Sequence, residues 1–257
     1  MSNNYTLGRG EIHFGQYRTG TQVPRGERYL GNSPELGFSA EQENLDHYNS
    51  DRGVRIKDES VILQLDYNGS FITDNISPQN LAMFFLGTQT LESTAGSTAD
   101  TESFVDVELG TSYQLGTSTT QPSGVRDVEN VALTVGATPL VIDVDYTIDM
   151  ALGRFTLLDT ATVVADTDTV DVTYDVKAST RQRIISKSDT IEGSLRFLAY
   201  NPAGDDIDYF MPWVKITPSG DFQLKSDEWQ QLPFDLEVLK KGTLESIYMD
   251  GRAYVPA

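Results

Sequence analysis

Carboxylates at alternate positions are the first feature of this sequence that could do chemistry. Asp166–Asp171 reads DTDTVD, the spacing with which a calcium-binding loop begins. It has neither the glycine nor the distal glutamate of an EF-hand loop, and β-prone residues follow it. Gly204–Asp208, GDDID, could also hold a cation, but the preceding Asn201-Pro202 is typical of a connecting loop. We therefore interpret both segments as surface carboxylates and predict no metal site.

Enzymatic chemistry has few candidate residues here. A glycosidase needs two carboxylates on opposite sides of a sugar, with aromatic rings nearby. The residues that could be assigned to this role are Glu228, Asp235, Trp213 and Trp229. Nothing in their spacing selects them from the 38 acids of the chain, and neither His13 nor His47 has a neighbouring triad or ligand partner. With no cysteine available as a thiolate, we predict no enzyme, no catalytic residue and no cofactor.

Another acidic stretch, VDYTIDMALGRFTLLD (Val144–Asp159), shows which elements position these carboxylates. Its alternation of polar and apolar residues predicts two strands joined at residues 150–153. Val144, Tyr146 and Ile148 would form the apolar face of the first strand, so that Asp145 and Asp149 face solvent. Such a pattern positions neither a metal nor a general acid.

Composition and charge restrict the class of protein. The chain has 257 residues, enough for one large or two smaller all-β domains, and a formal net charge of −19. That charge disfavours tight wrapping of nucleic acid, and we interpret the basic run TRQRIISKS, residues 180–188, as a strand face or a partner for acids. No apolar run approaches the roughly 20 residues that span a bilayer. The first residues lack the pattern of a secretory signal, so we expect no membrane association.

Hydrophobic periodicity predicts an all-β fold with one short helix. In ISPQNLAMFFLG, Ser77 is a predicted N-cap, Pro78 the first helical residue and Gly87 the end. Before it, Val61, Leu63 and Leu65 are spaced as on one face of a strand, and Asn68-Gly69 predicts a tight turn.

An acidic insertion divides the chain. Thr90–Ser103 is small and polar like a linker, and the short Val- and Thr-rich strands that follow continue to Lys177. Between Asp100 and Lys177, 14 acids stand against three basic residues, a net charge of −11. We predict a core domain of residues 1–103 and 181–257, and an inserted acidic β module of residues 104–180.

Four segments together resemble the major tail tube protein of long-tailed bacteriophages. They are RGERYLGNSPELGFSAEQENLDHYNSDRGVRIKDESVILQ, ITDNISPQNLAMFFLG, EGSLRFLAYNPAGDDIDYFMPWVKITPSGDF and DEWQQLPFDLEVLK. The resemblance covers about residues 8–90 and 180–250, and it implies a β-sandwich or barrel-like core carrying a small β-sandwich-like insertion. It also implies a virion protein, assembled in the host cytoplasm, whose hexameric rings stack into a tube for DNA ejection. The implied partners are further copies of the chain, the tape measure protein and the tail terminator or tip proteins. DNA would pass through the lumen without specific binding.

The polar segment of residues 41–53 is the predicted assembly loop, which would order when rings or subunits make contact. Its candidate residues, with two that follow it, are Glu41, Glu43, Asp46, His47, Asp51, Arg52, Arg55 and Lys57. The alternative is an all-β carbohydrate-binding or adhesin module, which the tyrosines, the tryptophans and the acidic insertion favour. A glycoside hydrolase comes third.

Overall fold

A computed structural model of the chain describes residues 5–51 and 53–252. The chain is all-β with one short helix and several antiparallel sheets, which confirms the predicted fold class. In chain order the elements are β1 (Gly10–Gln16), β2 (Arg28–Tyr29), β3 (Glu35–Asn49), β4 (Ile56–Thr73), α1 (Pro78–Phe84), β5 (Thr88–Thr94), β6 (Ser97–Phe104), β7 (Ser112–Gln114), β8 (Val128–Val135), β9 (Thr138–Pro139), β10 (Tyr146–Asp149), β11 (Arg154–Leu157), β12 (Val170–Val176), β13 (Ser179–Ile185), β14 (Ile191–Ala199), β15 (Ile207–Pro218), β16 (Leu232–Val238) and β17 (Tyr248–Gly251). Among the described residues, no helix combines the length and the apolar character that a membrane span requires.

The chain divides into two compact units. The first comprises Met1–Thr90 and Ile184–Ala257, and the second comprises Leu91–Arg183. These boundaries differ from the predicted ones at 103/104 and 180/181. The predicted linker Thr90–Ser103 is wrong, because most of it forms β5 and β6, and β6 pairs along β12 of the second unit. Small polar residues form a strand here because the partner strand satisfies their backbone N–H and C=O groups.

The first unit contains one eight-stranded antiparallel sheet. Its strand order is β2-β1-β14-β15-β16-β4-β3, and β17 pairs with β15 outside that order. Side chains from most of these strands, and from the segment after β2, form a single core. Its largest fully buried members are Phe71, Phe234, Ile12, Leu30, Leu195, Met211, Ile216 and Leu232. β2 and β3 thus stand at the two ends of the strand order.

The predicted helix is confirmed as α1. Ser77 is its N-cap and accepts a hydrogen bond from Asn80 N at 3.2 Å, with Pro78 in the first turn. The helix ends before Gly87, and the left-handed residue after it is Leu86, with φ of 49°. A Cβ on Gly87 would lie 2.0 Å from Ile185 O, so this glycine permits a close approach of two chain segments instead of capping the helix.

The second unit has two small sheets around its own core. Their orders are β10-β11-β7 and β6-β12-β8-β9. Phe155 and Leu157 from the first sheet join Leu133, Val170 and Val172 from the second in one buried cluster, so the unit is β-sandwich-like. The predicted strands of the VDYTIDMALGRFTLLD stretch are confirmed as the hairpin β10–β11.

Candidate assembly hairpin

Most residues of the predicted assembly loop lie on two paired strands. β3 and β4 form an antiparallel hairpin with register from Glu35↔Ile72 to Asn49↔Ile56, and only residues 50–55 connect the strands. The prediction of a loop over residues 41–53 is therefore wrong for most of its length, because polar residues also occupy a strand that is exposed on both faces. The structure places Glu41, Glu43, Asp46 and His47 on β3, Lys57 on β4, and Asp51 and Arg55 in the connection, while Arg52 lies outside the described residues.

The far part of this hairpin extends beyond the sheet. β16 pairs with β4 only along Tyr67–Thr73. From Ile56 to Asp66, β4 continues for roughly 35 Å at about 3.3 Å per residue. Every described residue from 41 to 66 is exposed except Asp46, which is half-buried. An isolated two-stranded hairpin is at best marginally stable in water, so this overhang lacks the support that the rest of the sheet has.

Two β-bulges in β4 decide which side chains share a face of the overhang. One extra residue is Leu63 and the other lies nearer the turn, where the register against β3 shifts. Cross-strand partners lie on the same face, so Leu65 shares a face with Gln42, and Val61 shares the other face with Leu45. The prediction that Val61, Leu63 and Leu65 line one face is wrong, because the bulge at Leu63 interrupts the alternation.

Apolar side chains are exposed on both faces of the overhang. On the Leu65 face, which continues from Gln42 to Lys57, Ile62 and Leu65 are 58% and 49% exposed. On the opposite Leu45 face, Leu45 and Val61 are 61% and 52% exposed. An antiparallel hairpin that packs on its own core usually has one wet face. Exposed apolar residues on two faces are typical of interaction surfaces.

The dipeptide Asn68-Gly69, predicted to be a tight turn, lies inside the continuous strand β4. Gly69 stands between Phe38 of β3 and Leu236 of β16. A Cβ on Gly69 would lie 2.7 Å from both Gly37 O and Phe38 Cδ1. The glycine therefore makes room for the Phe38 ring across the strand, and pairing on both sides keeps the backbone extended.

Charged side chains on the Leu65 face neutralise one another. Lys57 Nζ lies 2.6 Å from Asp46 Oδ1, and Ser60 Oγ donates to the same oxygen at 2.7 Å. The hydrogen bond from Lys57, followed by that from Ser60, lowers the pKa of the Asp46 carboxyl below its ordinary value. The Arg55 guanidinium lies 5.1 Å from the centre of the Tyr48 ring. Both cations thus contact side chains of their own hairpin.

The carboxylates of Asp166–Asp171 serve as hydrogen-bond acceptors within the second unit. Their donors are Leu109 N for Asp166, Ala165 N for Asp168 and Ser103 Oγ for Asp171, at 2.9, 2.8 and 2.5 Å. Within residues 5–51 and 53–252, no group of three or more His, Cys, Asp or Glu side chains is suited to a metal ion. The alternating carboxylates therefore fix turns and strand edges.

An arginine lies beside the acids of Gly204–Asp208. The Arg252 guanidinium is 3.2 Å from Asp206 Oδ2 and 3.0 Å from Asp208 Oδ1. Its hydrogen bond is the main reason why the pKa of the Asp208 carboxyl is lowered. These two carboxylates therefore have a cation supplied by the chain itself.

Asp145 is the acid that sequence patterning misplaced. It was predicted to face solvent, but its side chain is fully buried, whereas Asp149 is exposed as predicted. Its oxygens accept hydrogen bonds from Val141 N at 2.9 Å, Thr162 N at 2.8 Å and Val163 N at 3.3 Å. These bonds, with that from Val141 the largest cause, lower the pKa of the Asp145 carboxyl. Asp145 precedes β10, so the alternation of buried and exposed residues within that strand does not determine its orientation. Its carboxylate joins the loop that contains Val141 to the loop that contains Thr162 and Val163.

The residues considered for sugar hydrolysis have separate environments. Trp213 Nε1 donates to Glu192 Oε2 at 3.2 Å, Trp229 is 93% exposed, and Asp235 lies within β16. Across the described part of the chain, no hydrogen bond or ring contact joins these residues to Glu228.

His13 Nε2 lies 3.1 Å from Glu11, and its ring lies 5.5 Å from that of Tyr29. In the basic run, Arg183 pairs with Glu92 at 3.5 Å.

The sequence model of one protein family matches residues 5–246, and its description reads "Protein of unknown function UCP028589". The chain belongs to this family. The range shared with the UCP028589 family runs through both units, so the acidic second unit lies within the family pattern. Curated proteins give no match to the chain.

Sequence reasoning missed the hairpin itself. Its strands are unusually long, and the polar residues of β3 mask the strand pattern. The available indication was the apolar run VILQL, residues 61–65, which predicts a strand that could pair with the polar segment preceding it.

Proposed function

We propose that this protein is a structural subunit that assembles with copies of itself into rings, and that the rings stack into the tail tube of a long-tailed bacteriophage. The single observation that carries the proposal is the overhanging β3–β4 hairpin, with exposed apolar residues on both faces. The resemblance of residues 8–90 and 180–250 to major tail tube proteins supports the same function. In this proposal the protein has no catalytic role.

The physics of the hairpin favours a copy of the chain as the covering molecule. An exposed strand edge is a template for pairing with another strand, and β3 is a 15-residue edge strand at one end of the sheet. A closed ring supplies every such edge with a neighbour. Side chains on both faces, such as Leu45 and Leu65, would then be buried between subunits.

The charge of the chain suits a conduit for DNA. With a net charge of −19, an assembled wall repels phosphates and offers a passing duplex little adhesion. The partners in this proposal are other copies, the tape measure protein and the terminator or tip proteins, and the location is the virion tail.

The test compares the wild-type chain with a variant in which Asn-Gly replaces residues 41–66. Ala40 and Tyr67 are paired in the sheet, so a two-residue turn can join them and leave the core strands in register. We expect negative-stain electron microscopy to show rings or tubes of constant diameter for the wild type only. The variant should remain a folded monomer in sedimentation experiments. Wild-type protein that stays monomeric, or a variant that still forms tubes, would refute the proposal.

A carbohydrate-binding module is the second candidate, and exposed Trp229 favours it because aromatic rings stack on sugars. Its 93% exposure leaves the indole free to contact a ligand. A glycan array distinguishes the two functions. Monomeric protein that binds a glycan, and loses that binding in Trp229→Ala, would favour the second candidate.

A further inference from the structure

The Leu45 face of the overhang carries carboxylates that its own chain does not balance. Those on this face by register are Glu41, Glu43, Glu59 and Asp66. Among the residues that the structure describes, none of the four belongs to an ion pair, whereas Asp46 on the Leu65 face is paired with Lys57. The exposed pair Leu45 and Val61 lies between them. This face therefore has an apolar centre with an acidic rim.

Three cations with no acidic partner in the described chain occur together at the loop between β1 and β2. Arg18 and Arg25 belong to this loop, in which Arg18 N donates to Val23 O at 3.0 Å. Lys241 joins them, because its Nζ donates to Gln22 O at 2.7 Å. Arg18 and Arg25 are exposed, and Val23 is 55% exposed. Arg18, Val23 and Arg25 share one face of the loop by pairing, and we name these three residues the cationic platform. Lys241 lies over the Tyr17 ring and supports the loop.

The cationic platform is held in place before any partner arrives. Lys241 Nζ lies 4.6 Å from the centre of the Tyr17 ring, and the buried Tyr17 hydroxyl donates to Pro212 O. Arg25 N donates to Gln16 O at 2.9 Å, which closes the loop. A preorganised surface loses little conformational entropy on binding.

The position of the two surfaces in the sheet determines how copies can meet. The cationic platform precedes β2, and the Leu45 face lies on β3 and β4, so the two surfaces belong to opposite ends of the strand order. A contact between different surfaces of identical copies is head-to-tail. Such contacts close into rings when the rotation between copies permits.

We propose that the Leu45 face of one copy docks on the cationic platform of the next copy. Leu45 and Val61 cover Val23, and the acidic rim faces Arg18 and Arg25. The complementary charge and the apolar centres argue for a second copy as the occupant. This inference rests on the proposed self-assembly and adds the surface that receives the hairpin.

The experiment uses two charge-reversed full-length variants. The hairpin variant carries Glu41→Lys, Glu43→Lys and Glu59→Lys, and the platform variant carries Arg18→Glu and Arg25→Glu. All five side chains are exposed, so each variant should keep the melting temperature of the wild-type monomer. The matched control exchanges a partly exposed ion pair of the second unit, Glu129→Lys with Lys177→Glu, which lies outside the hairpin and the platform, and leaves the net charge unchanged.

We expect each reversed variant alone to associate at least about tenfold more weakly than the wild type, because like charges then face each other. An equimolar mixture of the two should recover assembly, since every contact between unlike copies is again complementary. The control should assemble as the wild type does. Wild-type assembly should also weaken between about 0.05 M and about 0.5 M salt, as screening requires.

The outcomes separate this docking from the proposed function. A wild-type chain that stays monomeric overturns both. Normal assembly of either reversed variant, or a mixture that fails to recover assembly, overturns the docking alone. A platform variant could assemble normally but lose the binding of a single-stranded DNA oligonucleotide that the wild type shows. That outcome would assign the platform to nucleic acid and would also overturn the docking proposal.

Discussion

Replacing Asp145 by Asn should selectively weaken the second unit. In the wild type, Oδ1 accepts from Thr162 N and Val163 N, while Oδ2 accepts from Val141 N. An Asn side chain preserves one acceptor oxygen but turns an amide N–H₂ group toward the Val141 N–H. The variant therefore loses one charge-assisted hydrogen bond and weakens two others, so we expect its free energy of unfolding to fall by about 2–3 kcal/mol.

For a unit of this size, that loss corresponds to a melting temperature lower by about 10–20 °C. Two probes separate the units, because both tryptophans, Trp213 and Trp229, lie in the first unit. Calorimetry should show the lowered transition of the second unit, while the tryptophan fluorescence transition stays in place. Asp143→Asn is the matched control, since Asp143 is exposed in the same loop and should change stability by less than about 0.5 kcal/mol.

The pH dependence of this effect has a defined sign. The pKa of the Asp145 carboxyl is lowered in the folded state, so ionisation stabilises the second unit above the unfolded-state pKa of about 3.9. As the pH falls below that value toward the folded-state pKa, the stabilisation is lost. The stability difference between wild type and Asp145→Asn should therefore shrink in acid. Equal effects of Asp145→Asn and Asp143→Asn, or a difference that grows in acid, would refute the assigned role of the buried carboxylate.

Two further substitutions test the first unit. Gly69→Ala should lower the stability of this unit by about 1–3 kcal/mol, because the new Cβ would lie 2.7 Å from Gly37 O. The control is Gly37→Ala, whose Cβ meets no atom within 4 Å. Denaturant unfolding measures the stability of both variants. Equal losses in the two variants would contradict the steric argument. Ser77→Ala should lower stability by about 1 kcal/mol through loss of the helix N-cap, which a lower denaturation midpoint would show. Ser77→Asp should preserve stability, because aspartate also caps helices. Unchanged stability in Ser77→Ala would contradict the capping role.

The helix and the β10–β11 hairpin could be predicted because their determinants are neighbours in the sequence. Ser77 and Pro78 act on the turn that immediately follows them. In β10–β11, the polar and apolar alternation is uninterrupted, and residues 150–153 supply the turn. Local chemistry is sufficient in both cases.

The β3–β4 hairpin could not be predicted for the opposite reason. Asn68-Gly69 has the composition of a turn, but β3 and β16, far away in sequence, pair on either side of it and keep it extended. The bulge at Leu63 depends on a register that no single strand contains. Asp145 shows the same limit, because its donors Thr162 and Val163 come from a loop that only the folded second unit brings near.

The marginal stability of the overhang has a kinetic consequence for any polymer built from it. A free copy must order its hairpin and lose solvent contacts at the same step in which it gains a neighbour, so the first few associations are unfavourable. In the proposed tube, each copy that arrives after the first ring would meet a surface already formed, and growth would become rapid. Assembly should therefore show a lag, a critical concentration and a marked acceleration by preformed seeds. If the chain assembles as proposed, a cell could hold such subunits at high concentration unpolymerised until a template starts growth at one place.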